Sequence, residues 1–310
     1  MNTIKWGKQQ GKQRFQCKNC GILFTGSNKF VRSSNRFIWF ERWVIKRRTI
    51  DDLVQESSYS KRTLKRYFNT YLSKPPVLSV YPCEKLNLMI DGTYFSNDIC
   101  LVIYRDATIK FTQLYRFSDG EHYTEIKEDL LNLLKLDVQI ESVTSDGHKS
   151  ILKAVKEVLP DVALQRCLVH IQRDCRIWLT QNPKSIAGRP LKQITSRLHL
   201  IETCYEKSFW LLDLKTWYDK HVDFINEKSY NPDTNRYWFT HKMVRRSFMT
   251  IKRALPNMFH YLDNPRIPKS TNSIESFFCH MKGHLNIHRG LSYNHRKQYL
   301  MWYLYFKNRM

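Results

Sequence analysis

Between Leu86 and Val169 the chain alternates short apolar runs with two amphipathic stretches, and few folds accept that order. Leu86–Ile90 reads as a buried strand ending at Asp91. Ile99–Tyr104 and Thr108–Phe117 read as two more, and these first three are expected to pair antiparallel. Residues 121–135 carry helical periodicity, and Val138–Thr144 is a strand ending at Ser145-Asp146-Gly147. Ser150–Leu159 is a helix and Val162–Val169 a short strand. The order β-β-β-α-β-α-β predicts an α/β fold, a mixed sheet with helical crossovers.

The flanks differ in texture. Residues 1–34 are polar and basic, with Cys17-Lys18-Asn19-Cys20-Gly21 as a knuckle between short strands. In 35–74 a helix over 35–48 precedes a helix-turn-helix-like signal. Thr49 caps a short helix, with Asp52 as capping-box partner, and Ser57–Ser60 makes the turn. A second helix runs from Lys61 to Leu72. Its buried face is Leu64, Tyr67, Phe68, Tyr71 and Leu72; Arg62, Lys65, Arg66 and Asn69 lie on the other. The sheet region spans 84–170. From 171 to 263 strand signals fade into Trp- and Tyr-rich stretches that predict a large all-helical insertion. Most of those rings are core, though a few could stack on unpaired bases. The last segment, 264–310, opens on Ser270-Thr271-Asn272, a helix start.

Charge follows these boundaries. Residues 1–74 hold 17 basic and 4 acidic side chains, residues 237–310 hold 13 and 2, and the middle holds 21 and 22. A net charge of +23 concentrated in two arms points to a polyanion that meets both ends. With 42% hydrophobic residues the chain can bury a core, which excludes a disordered tail. The apolar runs are strand-sized, so no membrane segment is expected. The opening residues carry no apolar signal core, and eight scattered cysteines fit a reduced compartment.

Asp91 and Asp146 each end a predicted strand and each precedes a glycine. Strand ends open onto the functional edge of an α/β sheet, where glycine permits close approach. Two neighbouring carboxylates repel unless a divalent cation lies between them. Glu275, near the start of the late helix, would be a third oxygen donor suited to Mg²⁺ or Mn²⁺. Asn272 and Lys282, at −3 and +7 from Glu275, fall near its helix face. The plainer alternative is two Asp-Gly turns and a solvated glutamate. Asp119 reads as a helix cap, and Asp106 as a hairpin-turn residue. His280, His284 and His288 share helical spacing and read as a solvated or DNA-facing stripe. Cys167 and His170 close the last strand, with Cys167 in the core and His170 hydrogen-bonded.

In these motifs the sequence resembles the DDE transposases of bacterial insertion sequences, the Mutator-like group with a zinc-ribbon-bearing N-terminus. Ile90-Asp91-Gly92-Thr93, Thr144-Ser145-Asp146-Gly147 and Thr271-Asn272-Ser273-Ile274-Glu275 match that family's acidic motifs. Lys282 matches its following basic residue, and Arg166-Cys167-Leu168-Val169-His170 its Cys-x-x-His signature. The resemblance implies an RNase H-like fold, with Asp91, Asp146 and Glu275 holding two Mg²⁺ (or Mn²⁺) ions. It implies strand cleavage at transposon ends and transfer to target DNA, with Cys167 and His170 in support. Cys17 and Cys20 would be half of a Zn²⁺ site, making 1–34 a partial zinc ribbon without its first cysteine pair.

The expected partners are terminal inverted repeats and target DNA. Arg62, Lys65, Arg66, Asn69, Asn272, Lys282 and Arg289 are the candidate DNA contacts. Bringing two ends together calls for a homodimer or larger assembly, on a cytoplasmic, nucleoid-associated protein. Two rival readings stay open: a non-catalytic DNA-binding remnant, and an RNase H-like nuclease that cuts without joining.

Overall fold

The computed structural model describes residues 2–25, 29–82, 85–95 and 99–309, and over 29–35 the backbone alone. Strands β1 (Thr3–Gln9), β2 (Lys12–Cys17) and β3 (Leu23–Thr25) form a small antiparallel sheet in that order. It is largely exposed; its one ring contact among the described residues pairs Phe15 with Phe24 at 6.0 Å. The knuckle closes through the Gly21 amide donating to the Cys17 carbonyl at 2.8 Å.

Helices α1 (Lys29–Ile45), α2 (Ile50–Glu56) and α3 (Lys61–Leu72) follow. The Thr49 capping box forms in both directions: its hydroxyl accepts from the Asp52 amide at 3.1 Å, and Asp52 accepts from the Thr49 amide at 2.8 Å. Ser60 caps α3 by accepting from the Thr63 amide. Leu64, Phe68 and Leu72 are buried, while Lys61, Arg62, Lys65, Arg66 and Asn69 face solvent, as the periodicity predicts.

The central sheet uses β4 (Leu86–Phe95), β5 (Ile99–Asp106) and β6 (Thr112–Ser118). Helix α4 (Tyr123–Lys135), strand β7 (Ile140–Ser145), helix α5 (Lys149–Val158) and strand β8 (Ala163–Arg166) complete it. The strand order is β6-β5-β4-β7-β8. The first three strands pair antiparallel; β4 with β7 and β7 with β8 are parallel. The sheet is covered on both faces, hence the near-continuous apolar runs of β4 and β5. Leu88, Ile90, Val102 and Tyr104 pack under α4 and α5 with Ile126, Leu130, Ile151 and Val155. Met89, Leu101 and Ile103 point the other way.

Several boundaries differ from the sequence reading, the first helix among them, at Lys29–Ile45 rather than 35–48. Strand β4 continues past Asp91 to Phe95, because β5 pairs with it as far as Phe95↔Ile99. Strand β6 starts at Thr112, because Asp106 accepts from the Thr108 and Ile109 amides and holds a turn before it. Strand β8 stops at Arg166, so Cys167 caps a helix and His170 lies on it rather than on a strand.

That helix, α6 (Leu168–Leu179), opens the insertion. It continues with α7 (Gly188–Ser196), α8 (Cys204–Asn226), β9 (Lys228–Asn231), β10 (Arg236–Phe239), α9 (Lys242–Ala254) and α10 (His260–Asp263). Trp210, Leu214, Trp217, Phe248 and Ile251 fill its core with Ile171 and Leu191. The Trp210 and Trp217 indoles donate to the Ile194 and Ala187 carbonyls, both at 2.8 Å. The expected all-helical insertion is corrected by the β9–β10 hairpin. Its strands flank a loop in which Asn231 accepts from the Asp233 and Thr234 amides, which stops helix propagation.

Helices α11 (Asn272–Asn286) and α12 (Tyr293–Asn308) end the fold. The two basic arms share one core: Phe40, Trp43, Phe68 and Leu72 pack with Phe277, Tyr299, Trp302 and Phe306. Trp302 donates to the Tyr71 carbonyl at 3.0 Å and Tyr299 to that of Val44 at 2.8 Å. This packing overturns the histidine stripe. His284 and His288 are buried, burial pushes both down to about 4, and His288 bonds the Trp43 carbonyl at 3.2 Å. Only His280 of the three is exposed.

Candidate active site

The β4–β7 register brings two carboxylates together. Ile90 pairs with Ser145 as the last rung, so Asp91 and Asp146 both follow the end of that ladder. Asp91 shares its face with Met89, the side covered by α11, where the Ser273 hydroxyl reaches the Met89 sulfur at 3.3 Å. Asp91 is 6% exposed. Burial, then the Asp146 charge, push its carboxyl up to about 8; His170 pulls the other way, and Glu121 and Glu275 add to the rise. Asp146 accepts from the His148 amide at 2.8 Å.

The following glycines are required by their surroundings. Gly147 has φ +92°, and a Cβ there would lie 1.9 Å from the Arg166 guanidinium. Arg166 in turn donates to the Asp146 carbonyl at 3.3 Å. A Gly147→Ala chain is therefore expected to lose about 1–3 kcal/mol of stability from the strained backbone. Urea unfolding of the variant checks this. A Cβ on Gly92 would meet the Glu121 carboxylate at 2.5 Å.

Glu275 reaches the same edge from α11. Arg173 grips it with both guanidinium ends, at 3.1 and 2.8 Å, and His170 Nε2 lies 3.2 Å from Oε1. The Cys-x-x-His pair joins α6 to the start of α11. The Thr271 amide donates to the Cys167 sulfur at 3.3 Å, and the Thr271 hydroxyl lies 3.4 Å from His170 Nδ1. Burial pushes the Cys167 thiol up, but hydrogen bonds with His170 and Thr271 outweigh it and leave it below its usual range. Burial lowers His170, while Cys167, Asp146 and Asp91 raise it more, to about 9, so its imidazole is charged at neutral pH.

Two residues here escaped the sequence reading. Arg173 sits about one turn beyond His170, a relation that a strand over Val162–Val169 hides. Glu121 is nearly buried beside Gly92, with His148 at 3.7 Å, and its position depends on tertiary contact alone. Asp119 is not the cap of α4; His122 holds that position and its ring bonds Asp119 at 2.7 Å.

Among the described residues, no three His, Cys, Asp or Glu side chains converge closely enough to hold a metal ion. Asp91 and Asp146 are two carboxylates at one edge with Glu121 beside them, and ionising Asp91 is resisted there, a repulsion that a hard divalent cation would relieve. Glu275 is turned to Arg173 and His170 instead. At the knuckle, the amides of Cys20 and Asn19 hold the Cys17 thiol below its usual range, but among the described residues no third ligand joins the pair.

The candidate DNA contacts fall in four places. Arg62, Arg66 and Asn69 line an open groove of about 650 Å³ on α3. Lys65 and Asn69 share a second, of about 630 Å³, with Arg289 from the α11–α12 turn. Lys282 lies on α11 with its ammonium 5.6 Å from the Phe95 ring centre. Asn272 lines a separate cavity of about 520 Å³ with Gln172, Arg176 and Lys269.

No helix among the described residues is long and apolar enough to cross a membrane. Residues 128–288, just over half of the chain, match the family profile described as transposase, Mutator family. That stretch holds Asp146, Cys167, His170 and Glu275. Over 88 residues the chain is 28% identical to the transposase for insertion sequence element ISRM5 of Rhizobium meliloti (strain 1021). The match covers 28% of this chain and 22% of that one. On the strength of the profile, the chain belongs to the Mutator family of transposases.

Proposed function

We propose that the chain is a DDE-type DNA transposase that cuts strands at transposon ends and joins the freed 3′-hydroxyls to target DNA. What supports this reading is that the β4–β7 register sets Asp91 and Asp146 side by side beyond its last rung, with Glu275 near enough to add to the rise of Asp91. The strand order β6-β5-β4-β7-β8, antiparallel then parallel, fits the RNase H-like fold that the motifs imply. Asp91 and Asp146 would hold two Mg²⁺ (or Mn²⁺) ions, with Glu275 added on leaving Arg173. When bound, such ions supply Lewis acidity and lower the pKa of the attacking oxygen. His170 and Arg173 orient Glu275 from α6 and set positive charge beside the path of the scissile phosphate. The α3 face, with Arg62, Lys65, Arg66 and Asn69, enters a groove of the terminal repeat, and Arg289 extends that face along the backbone. Two chains or more would hold the paired ends.

The joining step is tested with a duplex carrying a pre-exposed 3′ transposon end, supercoiled plasmid and Mg²⁺. Joined plasmid is the expected product. Cut plasmid without joined end would leave a nuclease, and binding without either would leave a DNA-binding remnant. The basic face makes a separate prediction. With Arg62, Lys65, Arg66 and Arg289 on phosphates, log affinity falls against log salt with a slope of about −4, and Arg66→Ala lowers its magnitude by about 1. Fluorescence anisotropy across a salt series measures both.

A further inference from the structure

The β9–β10 hairpin exposes aromatic rings that the fold does not use. Tyr230, Tyr237 and Trp238 are 46%, 68% and 47% exposed. Tyr230 pairs with Tyr237 on one face, ring centres 4.7 Å apart. Trp238 pairs with Ser229 on the other and contacts no other ring among the described residues. A two-stranded ribbon is not stable alone. This one is anchored at its base instead: Arg245 lies 3.8 Å from the Phe239 ring centre, and His241 stacks on Phe224 at 3.5 Å and bonds Glu227 at 3.0 Å. The exposed rings are therefore held in place by contacts that do not consume them.

Their surroundings select the occupant. From Lys228 to Arg246 the chain has five Lys and Arg against one acid, Asp233. Flat rings among cations suit unpaired nucleotides, whose bases stack while their phosphates meet the charge. The hairpin leads into α9, and Arg246 of α9 lies 4.5 Å from the ring centre of Trp178 on α6. Trp178 is eight residues along α6 from His170, about 12 Å at helical rise. Helix α6 thus runs from the carboxylate edge towards the hairpin's base.

We propose that the β9–β10 hairpin is a stacking platform for unpaired DNA bases, with Tyr237 and Trp238 as its principal rings. That those bases belong to a cut end rests on the transposase reading; the stacking does not, and it is tested apart from cleavage. The probes are a blunt fluorescein-labelled duplex and the same duplex with a 3′ oligothymidine overhang, followed by anisotropy with the full chain. The parent chain is expected to prefer the overhang. The double variant Tyr237→Ala, Trp238→Ala should lose overhang affinity by about fivefold or more per ring while blunt-duplex affinity stays. Both positions are exposed, so the variant should keep the parent's circular dichroism and melting point.

Equal affinity of the parent for both probes would overturn the proposal, as would unchanged overhang binding by the variant. A fall in sedimentation coefficient of the variant without DNA, with overhang binding retained, would assign the rings to a contact between copies and also overturn it. Overhang preference lost in the variant, in a parent that never cuts DNA, would keep the platform and remove the cleavage reading.

Discussion

An Asp146→Asn chain is expected to bind transposon-end DNA as tightly as the parent and to cut it at least about 10³-fold more slowly. The amide keeps the acceptor that receives the His148 amide at 2.8 Å, so the turn into α5 survives. It removes one of the two carboxylates at the end of the β4–β7 ladder. Metal-ion stabilisation of a transition state is worth several kcal/mol, and each 1.36 kcal/mol is tenfold, which sets the size of the loss. Single-turnover nicking and a gel shift on the same preparation separate the two effects. The α3 face and Arg289 lie outside the carboxylate edge, so binding has no reason to fall.

The second large effect is on stability against pH. Asp91 is raised from 3.8 to about 8, mainly by burial and then by Asp146. His170 is raised from 6.5 to about 9, where Cys167, Asp146 and Asp91 outweigh burial. Both groups hold protons more tightly folded than unfolded, so both contributions favour the fold at low pH and vanish as pH rises. Asp91's is lost between about 4 and 8, and His170's between about 6.5 and 9. The metal-free protein should therefore melt several degrees lower at pH 9 than at pH 5. Asp91→Asn should flatten that decline and melt above the parent at pH 9, and Mg²⁺ should raise the parent's high-pH end. Thermal scans in matched buffers measure all three; a parent that melts highest at pH 9 without metal would have the sign reversed.

What could be read in advance was what local periodicity and capping dictate. Helix α3, its Thr49-capped predecessor and the outward face of Arg62, Lys65, Arg66 and Asn69 stand where the spacing predicts. Strands β4 and β5 were legible because both-sided burial leaves long apolar runs. What pairs with what was not. Asp91 lies within a strand because β5 pairs beyond it, a fact of register. Glu121 and Arg173 reach the carboxylate edge only by tertiary contact. The histidines at 284 and 288 carried a helical signal, yet their cover is tertiary: Tyr303 and Tyr299 of the next helix, and for His288 also Trp43 from the far arm. The hairpin was lost among helices because four-residue strands of Tyr and Trp look like any aromatic-rich stretch.

The most direct test is to map nicks on the DNA flanking the protein's own gene, incubated with the purified chain and Mg²⁺, beside a Glu275→Gln control. The proposal that Asp91, Asp146 and Glu275 form one metal-dependent site predicts nicks at paired inverted repeats that disappear in the control while end binding remains. Nicks that persist at the same positions and rate in Glu275→Gln would contradict it.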